Sequence, residues 1–457
     1  MPKLNIVILA AGAGTRMHSS VPKVLHMLAG KPLLMHVIDT ARLLSPDNIC
    51  IVYGYGGDIV RKKIVGDDLT WVYQETQLGT GHALLQTQSY LDQDGLTLVL
   101  YGDVPLVSLS TLQKLISAAK QENLALLTAT LKNPSGYGRI VRNSVSDAIT
   151  AIVEQKDANA EQLQILEINT GVMIIPNRYL HAWLPKLDNK NSQQEYYLTD
   201  IIAMSVGQGV HVTSSQPQHL WEVMGVNSKR QLAELERIYQ REIANQLLDQ
   251  GVCLADPSRI DIRGDLDCGS DVEIDVNCIF EGTVKLANNV KIKGHCTLKN
   301  VIISSGTVVA PYSLLEDAEI GENCRIGPYA RIRPGTKLSN NVHVGNFVEV
   351  KNSSIAAGSK VNHLSYIGDT IMGEDVNIGA GTITCNYDGA NKYQTIIEDN
   401  VFVGSDTQLV APVRVSKGST IGAGSTITED TPENELTLSR SKQKSISGWQ
   451  RTVKRRT

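Results

Sequence analysis

Phenylalanine is nearly missing from this chain, with three in 457 residues, and none of its seven cysteines forms a C-x-x-C pair. An odd number of cysteines argues against a disulfide framework, and the missing C-x-x-C argues against a zinc site. Cys50, Cys253, Cys268, Cys278, Cys296, Cys324 and Cys385 are therefore read as reduced thiols, mostly buried. No apolar run reaches the ~18 residues of a membrane span. The start MPKLNIVILAAGAG has too short an apolar stretch, and no cleavage pattern, for a secretory signal. The expectation is a cytoplasmic protein with no membrane span. A formal net charge of -4 gives no whole-chain case for a nucleic-acid partner. What is present is a globular mixture, 42% apolar and 20% charged, long enough for two or three domains with full cores.

Two grammars divide the sequence. Up to about residue 227, strand-like runs (5 to 10, NICIVY at 48 to 53, TLVLY at 97 to 101) alternate with amphipathic helical ones. KPLLMHVIDTARLL has Leu34, Val37, Ile38 and Ala41 at helical spacing, with Pro32 at the first turn. This predicts a mostly parallel sheet with helices on both faces. Ser228 and Gln231 form a capping box for a long helix that Gly251 stops, which sets the expected divisions at 1–227, 228–250 and 251–457.

Beyond residue 251 the period is six. Ile302, Val308, Leu314, Ile320, Ile326, Ile332, Leu338, Val344 and Val350 form an unbroken aliphatic series. Similar series run from Ile274 to Leu298 and from Ile397 to Ile427, with phase slips between them. A hexapeptide repeat predicts a parallel β-helix: one aliphatic points inward from each short strand, and three strands close an 18-residue coil. The stretch TCNYDGANKYQTI at about 384 to 396 is too polar for a coil and predicts a protruding loop. From Leu436 onward the chain carries seven Lys or Arg and no acid, which reads as a solvated end.

The first strand runs into Ala10-Ala11-Gly12-Ala13-Gly14, followed by Arg16 and Lys23. Glycines here let backbone N–H groups approach a ligand. Met17 stands where a dinucleotide fingerprint needs Gly or Ala, and no Gly-Lys-Ser/Thr follows for a P-loop. The loop with its two cations suits a triphosphate attacked at its α-phosphorus. A second element, LYGDVP, delivers Asp103 to the carboxyl edge of the sheet, where open α/β sheets bind ligands. One carboxylate facing a triphosphate suggests Mg2+, which keeps most of its waters.

The arrangement LAAGxGTRM…PK resembles the signature of sugar-nucleotide pyrophosphorylases. With the repeat half included, the whole chain resembles the bifunctional N-acetylglucosamine-1-phosphate uridylyltransferase / glucosamine-1-phosphate acetyltransferases. The resemblance implies a left-handed β-helix, a homotrimer and an acetyl site built between neighbouring β-helices. It implies that Leu9, Ala10, Ala11, Gly12 and Lys23 hold UTP, with Arg16 and Lys23 neutralising charge as pyrophosphate leaves. Gln74, Gly79 and Thr80 would read uracil, Tyr101, Gly102, Asp103 and Asn227 would bind the nucleotide or its sugar, and Asp103 with Asn227 would ligate Mg2+. Gly138, Glu154 and Asn169 would hold the sugar and its N-acetyl group.

In the repeat half the resemblance implies that His363 is the general base on the amine of glucosamine 1-phosphate, which attacks the acetyl-CoA thioester. Imidazole exchanges its proton near neutral pH. Glu349 would orient or polarise it, and Asn386 with Ser405 would stabilise the tetrahedral oxyanion. Arg333 and Lys351 would hold the sugar phosphate, with Tyr366 and Asn377 lining the sugar site. Ala380, Asn386, Tyr387, Ser405, Ala423 and Arg440 match the acetyl-CoA positions. N-acetylglucosamine 1-phosphate would then attack UTP. A nucleotidyltransferase whose β-helix only oligomerises would need neither His363 nor the polar loop, and a non-catalytic scaffold would not need Arg16, Lys23 and Asp103 together.

Overall fold

A computed structural model describes residues 3–12, 14–119 and 123–454, so Ala13 of the glycine loop and the last three residues of the basic end lie outside the description. The chain divides into two compact units, Met1–Tyr239 and Gln240–Thr457.

The first unit is built on a nine-stranded sheet. Its strands are β1 (Leu4–Leu9), β2 (Asn48–Tyr53), β3 (Leu69–Tyr73), β4 (Leu96–Tyr101), β5 (Leu124–Thr130), β6 (Arg139–Arg142), β7 (Ile149–Val153), β8 (Glu167–Pro176) and β9 (Val212–Ser215). The order is β9-β5-β8-β4-β1-β2-β3, with β6 and β7 attached to β8, and only β8 runs antiparallel to its neighbours on that path. The alternation of β1 explains the two cores. Ile6, Ile8 and Ala10 face one layer with Leu34, Val37 and Ile38 of the helix Leu33–Leu43. Val7, Leu9 and Ala11 face the other, with Leu84, Trp183 and Ile201. A strand covered on both faces reads as a continuous apolar run, as β1 does. Pro32 caps the helix Leu33–Leu43 from just outside rather than occupying its first turn.

The helix Lys229–Asp249 starts as predicted, but its cap is shifted. The Ser228 hydroxyl accepts from the N–H of Gln231, whereas the Gln231 amide oxygen accepts from the N–H of Asn227, one residue before the box position.

The second unit is a parallel β-helix. One inward side chain per strand builds a single apolar column from Ile260 to Ile427. Most coils are either 18 or 17 residues long: Ile320 pairs with Leu338, but Val344 pairs with Val361. The predicted series needs correction at its start. Ile302 and Leu314 are 51% and 40% exposed, and the inward residues are Ile303, Val309 and Leu315, all at or below 1%. The inward step from Leu315 to Ile320 is five residues, as are those from Leu298 to Ile303, Val350 to Ile355 and Ile367 to Met372. All four short steps turn one corner, on Asn300, Asp317, Asn352 and Asp369, each with φ near +45 to +50°. Asn and Asp tolerate this left-handed conformation because their short polar side chains bond locally. Here Asn300 donates to Asp317 across 2.9 Å and Asn352 to Asp369 across 2.6 Å.

The predicted loop is present. Thr370 pairs with Thr395, 25 residues on, and the excess lies between the strands Ile383–Cys385 and Thr395–Ile397. All seven cysteines are free, four of them buried.

Candidate functional site

In the first unit a cavity of about 410 Å³ opens at the carboxyl edge of β1 and β4. Leu9, Ala10, Ala11, Gly12, Lys23, Gln74, Gly79, Thr80, Tyr101 and Asp103 line it, joined by Val24, Gln77, Ala83 and Glu195, which sequence reasoning missed. The sheet register makes this edge. Leu9 lies level with Val52 and Tyr101, so three strands end together. Asn227 arrives from far along the chain because the Val226 N–H donates to the Asp103 carbonyl across 2.8 Å. Lys23 then bridges the two: its ammonium meets the Asp103 carboxylate and lies 3.0 Å from Asn227 Oδ1. Arg16 is exposed on the turn Thr15–Met17 and is not part of the lining.

Gly138, Glu154 and Asn169 form a second group that meets the cavity at Tyr101. The Asn169 N–H donates to Gly138 carbonyl oxygen at 2.8 Å, and Glu154 accepts from the Thr199 hydroxyl at 3.1 Å. Burial pushes the Glu154 carboxyl up from its ordinary value. Burial, then the charges of Glu154 and Asp103, raise the Tyr101 phenol. Gly171 lets the Tyr101 ring sit here. Its φ is +86°, and a Cβ on it would lie 2.5 Å from a ring carbon.

Asp103 and Asn227 present two oxygens converging on one point, now held by the Lys23 ammonium. A carboxylate and an amide oxygen are hard donors suited to Mg2+, whose shell water and phosphate would complete. Among the described residues no group of three or more His, Cys, Asp or Glu could hold a metal.

In the second unit the predicted residues fall on two neighbouring faces and two corners. One corner stacks Asn346, His363, Ala380, Ser405 and Ala423, one from each successive coil. Asn346 pairs with His363, Gly381 N–H donates to His363 carbonyl, Asp406 N–H to Ala380 carbonyl and Gly424 N–H to Ser405 carbonyl. Arg440 continues the column, donating to the Ala423 carbonyl across 2.7 Å. At ~4.8 Å per coil the track from His363 to Arg440 is about 19 Å long. The same corner carries, on the preceding coils, an unpredicted ladder of His295, Tyr312, Tyr329 and Phe347, stacked with centroids 4.8, 5.0 and 5.2 Å apart.

The next face carries Glu349 and Tyr366 in register, with Lys351 beside Gly368. Lys351 bonds Asp369 at 3.0 Å, and Asn386 donates to the same carboxylate, which Arg333 does not reach: Arg333 bonds Glu349 at 2.7 Å. Asp369 was not foreseen. Asn377 lies on the face before the corner, paired with Lys360 and Phe402. Tyr387 is exposed on the protruding loop. Two expectations therefore change for a single chain. The imidazole of His363 bonds Asn346, not Glu349, because Glu349 is turned to Arg333. Ser405 stands two coils from His363, about 9.5 Å along the axis, and Asn386 is tied to the far corner.

Residues 6–169 match the MobA-like NTP transferase domain. Residues 317–352 match the bacterial transferase hexapeptide (six repeats), and 394–429 the hexapeptide repeat of succinyl-transferase. The chain is 65% identical over 455 residues to the bifunctional protein GlmU of Nitrosospira multiformis, covering 100% of this chain and 99% of that one. The chain belongs to the GlmU family. To the GlmU of Nitrosomonas europaea it is 64% identical, with 100% of both chains covered. That of Herminiimonas arsenicoxydans is 60% identical over 99% of each. It is a bifunctional transferase that makes UDP-N-acetylglucosamine, by acetyl transfer from acetyl-CoA to glucosamine 1-phosphate and uridylyl transfer from UTP to N-acetylglucosamine 1-phosphate. Among the described residues no helix is long and apolar enough to cross a membrane.

Proposed function

We propose that the two reactions are divided between the units, uridylyl transfer in residues 1–227 and acetyl transfer in 251–457, in a cytoplasmic homotrimer. The observation that carries the acetyl assignment is the corner column, which aligns His363, Ala380, Ser405, Ala423 and Arg440 although the coils between them differ in length.

His363 accepts the proton as the amine of glucosamine 1-phosphate attacks the thioester. The small side chains below it leave a track for acetyl-CoA, with Arg440 placed for its phosphates and Tyr387 at the loop. Arg333 and Lys351 hold the sugar phosphate, and Tyr366 and Asn377 the sugar. Residues on two faces of a prism diverge, so one chain cannot close around a ligand. A second copy supplies what is missing, and Asn386 and Ser405 reach the oxyanion across that boundary. This favours an oligomer.

In the first unit the glycine loop holds the UTP phosphates, Gln74, Gly79 and Thr80 the base, and Gly138, Glu154 and Asn169 the sugar. Asp103 and Asn227 would hold Mg2+, which when bound offsets the charge building on the phosphates. Lys23 lies beside them, ready for the departing pyrophosphate, with Arg16 approaching from the exposed turn. The attacking phosphate is ionised at neutral pH, so no base is required.

His363→Ala is the test. Loss of a general base costs about 100-fold to 10,000-fold, so acetyl transfer falls by that much while uridylyl transfer is unchanged. An acetylation rate within a few-fold of wild type, in a sample active in uridylylation, refutes the assignment.

A further inference from the structure

The His363 ring has one nitrogen engaged and one open. Nδ1 lies 2.8 Å from Asn346 Oδ1, and an amide oxygen can only accept, so Nδ1 carries the hydrogen in the neutral ring. That leaves the lone pair on Nε2. We infer that Asn346 is the positioning residue for acetyl transfer: its amide oxygen fixes the tautomer and the direction of the His363 imidazole.

The placement is built into the coil. Asn346 and His363 occupy equivalent positions of successive coils, and Leu364 N–H donates to the Asn346 carbonyl across 3.1 Å. Gly345 allows the approach, since a Cβ there would lie 1.9 Å from the Asn362 carbonyl oxygen. The Ser365 hydroxyl and Gly381 N–H both donate to the His363 carbonyl, at 2.8 and 3.3 Å, which holds the backbone from below. Ring and backbone are thus set by different neighbours, and among the described residues Asn346 is the one that bonds the ring. Other polar groups nearby are His343 and Lys360 on the preceding face and Glu349 and Tyr366 on the next. Glu349 is held by Arg333.

The inference rests on His363 as the base, and its test has a readout independent of activity. In full-length protein labelled with ¹⁵N-histidine, the His363 signals, assigned by their loss in His363→Ala, report which nitrogen carries the hydrogen. Wild type and Asn346→Asp show Nδ1–H. Asn346→Leu, similar in size but without an acceptor, shows a mixture of tautomers. Its kcat for acetyl transfer falls about tenfold to a hundredfold, the scale on which groups that orient another functional group act. KM for glucosamine 1-phosphate changes little, uridylyl transfer is unchanged, and Asn346→Asp recovers most of the rate. An Nε2–H tautomer in the wild type overturns the inference even if the leucine variant does not fold. So does a wild-type kcat in Asn346→Leu. Should His363→Ala keep its acetyl transfer, the base assignment falls instead, and the spectrum still decides the Asn346 bond.

Discussion

Lys23 Nζ lies 3.0 Å from Asn227 Oδ1, 204 residues away in sequence, and its other partner is Asp103. One ammonium thus occupies the point on which the two proposed metal ligands converge. A cation held by Asp103 and Asn227 would have to displace the Lys23 ammonium from that point.

Asp103→Asn tests this. It keeps the shape and removes the charge, so uridylyl transfer falls about 100-fold or more while acetyl transfer is retained. Binding of Mn2+ followed by electron paramagnetic resonance weakens in parallel. Equal loss of both activities would mean a folding defect, and near-normal uridylylation would leave Asp103 a structural residue.

Dilution separates the two activities. With the acetyl site shared between copies, acetyl transfer per chain declines once the protein is diluted below the dissociation constant of the assembly, whereas uridylyl transfer per chain stays constant. Light scattering alongside the assays decides it: a monomer fully active in acetylation contradicts the shared site.

Gly171→Ala strikes the Tyr101 wall of the first unit's cavity. A left-handed backbone costs a non-glycine residue about 1 to 2 kcal/mol, and contact with the Tyr101 ring adds about 1 to 3 kcal/mol of overpacking. The first unit loses stability in denaturant melts. Because the ring must shift, uridylyl transfer drops and acetyl transfer does not. An unchanged midpoint with full uridylyl activity would show that the ring yields freely.

Acid should weaken the first unit through Glu167. The Arg142 guanidinium, bonded to both carboxylate oxygens at 2.7 and 2.8 Å, holds this carboxyl below the usual carboxylate range. A depressed folded value means stability present above the unfolded value of ~4.3 and lost as pH falls through the folded one. Glu167→Gln therefore costs about 1 to 2 kcal/mol at pH 7, and the gap from wild type narrows below about pH 4. Denaturant melts at pH 7 and pH 3.5 measure it. A gap that does not narrow would assign the cost to packing.

The sequence made the two architectures legible because each has its own period, but it left the register of the first coils ambiguous. Ile302-Ile303, Val308-Val309 and Leu314-Leu315 are aliphatic doublets, and hydropathy offers both members equally. The choice is made at a corner, where one left-handed Asp317 shortens the step to five. The same cause hid Asn346 and Asp369. Nothing in their local sequence marks them, and their places follow only once the coil between Asn346 and His363 is known to be 17 residues long. Glu349 looked the better partner in sequence, yet it lies on a different face. In the first unit the loop, Lys23 and Asp103 were readable as a motif. Glu195 was not, since it reaches the cavity through a chain return without regular structure.

The 25-residue coil has a use beyond this reaction. Thr370, Ile371 and Met372 pair with Thr395, Ile396 and Ile397 without a break, and these pair onward with Val413, Arg414 and Val415. The strand ladder therefore closes over the added residues as if they were not there. Length at this corner is decoupled from the scaffold, which makes the segment between Asn386 and Thr395 a grafting position: foreign peptides can be spliced in and displayed from the rod, at the expense of acetylation but not of the coils on either side.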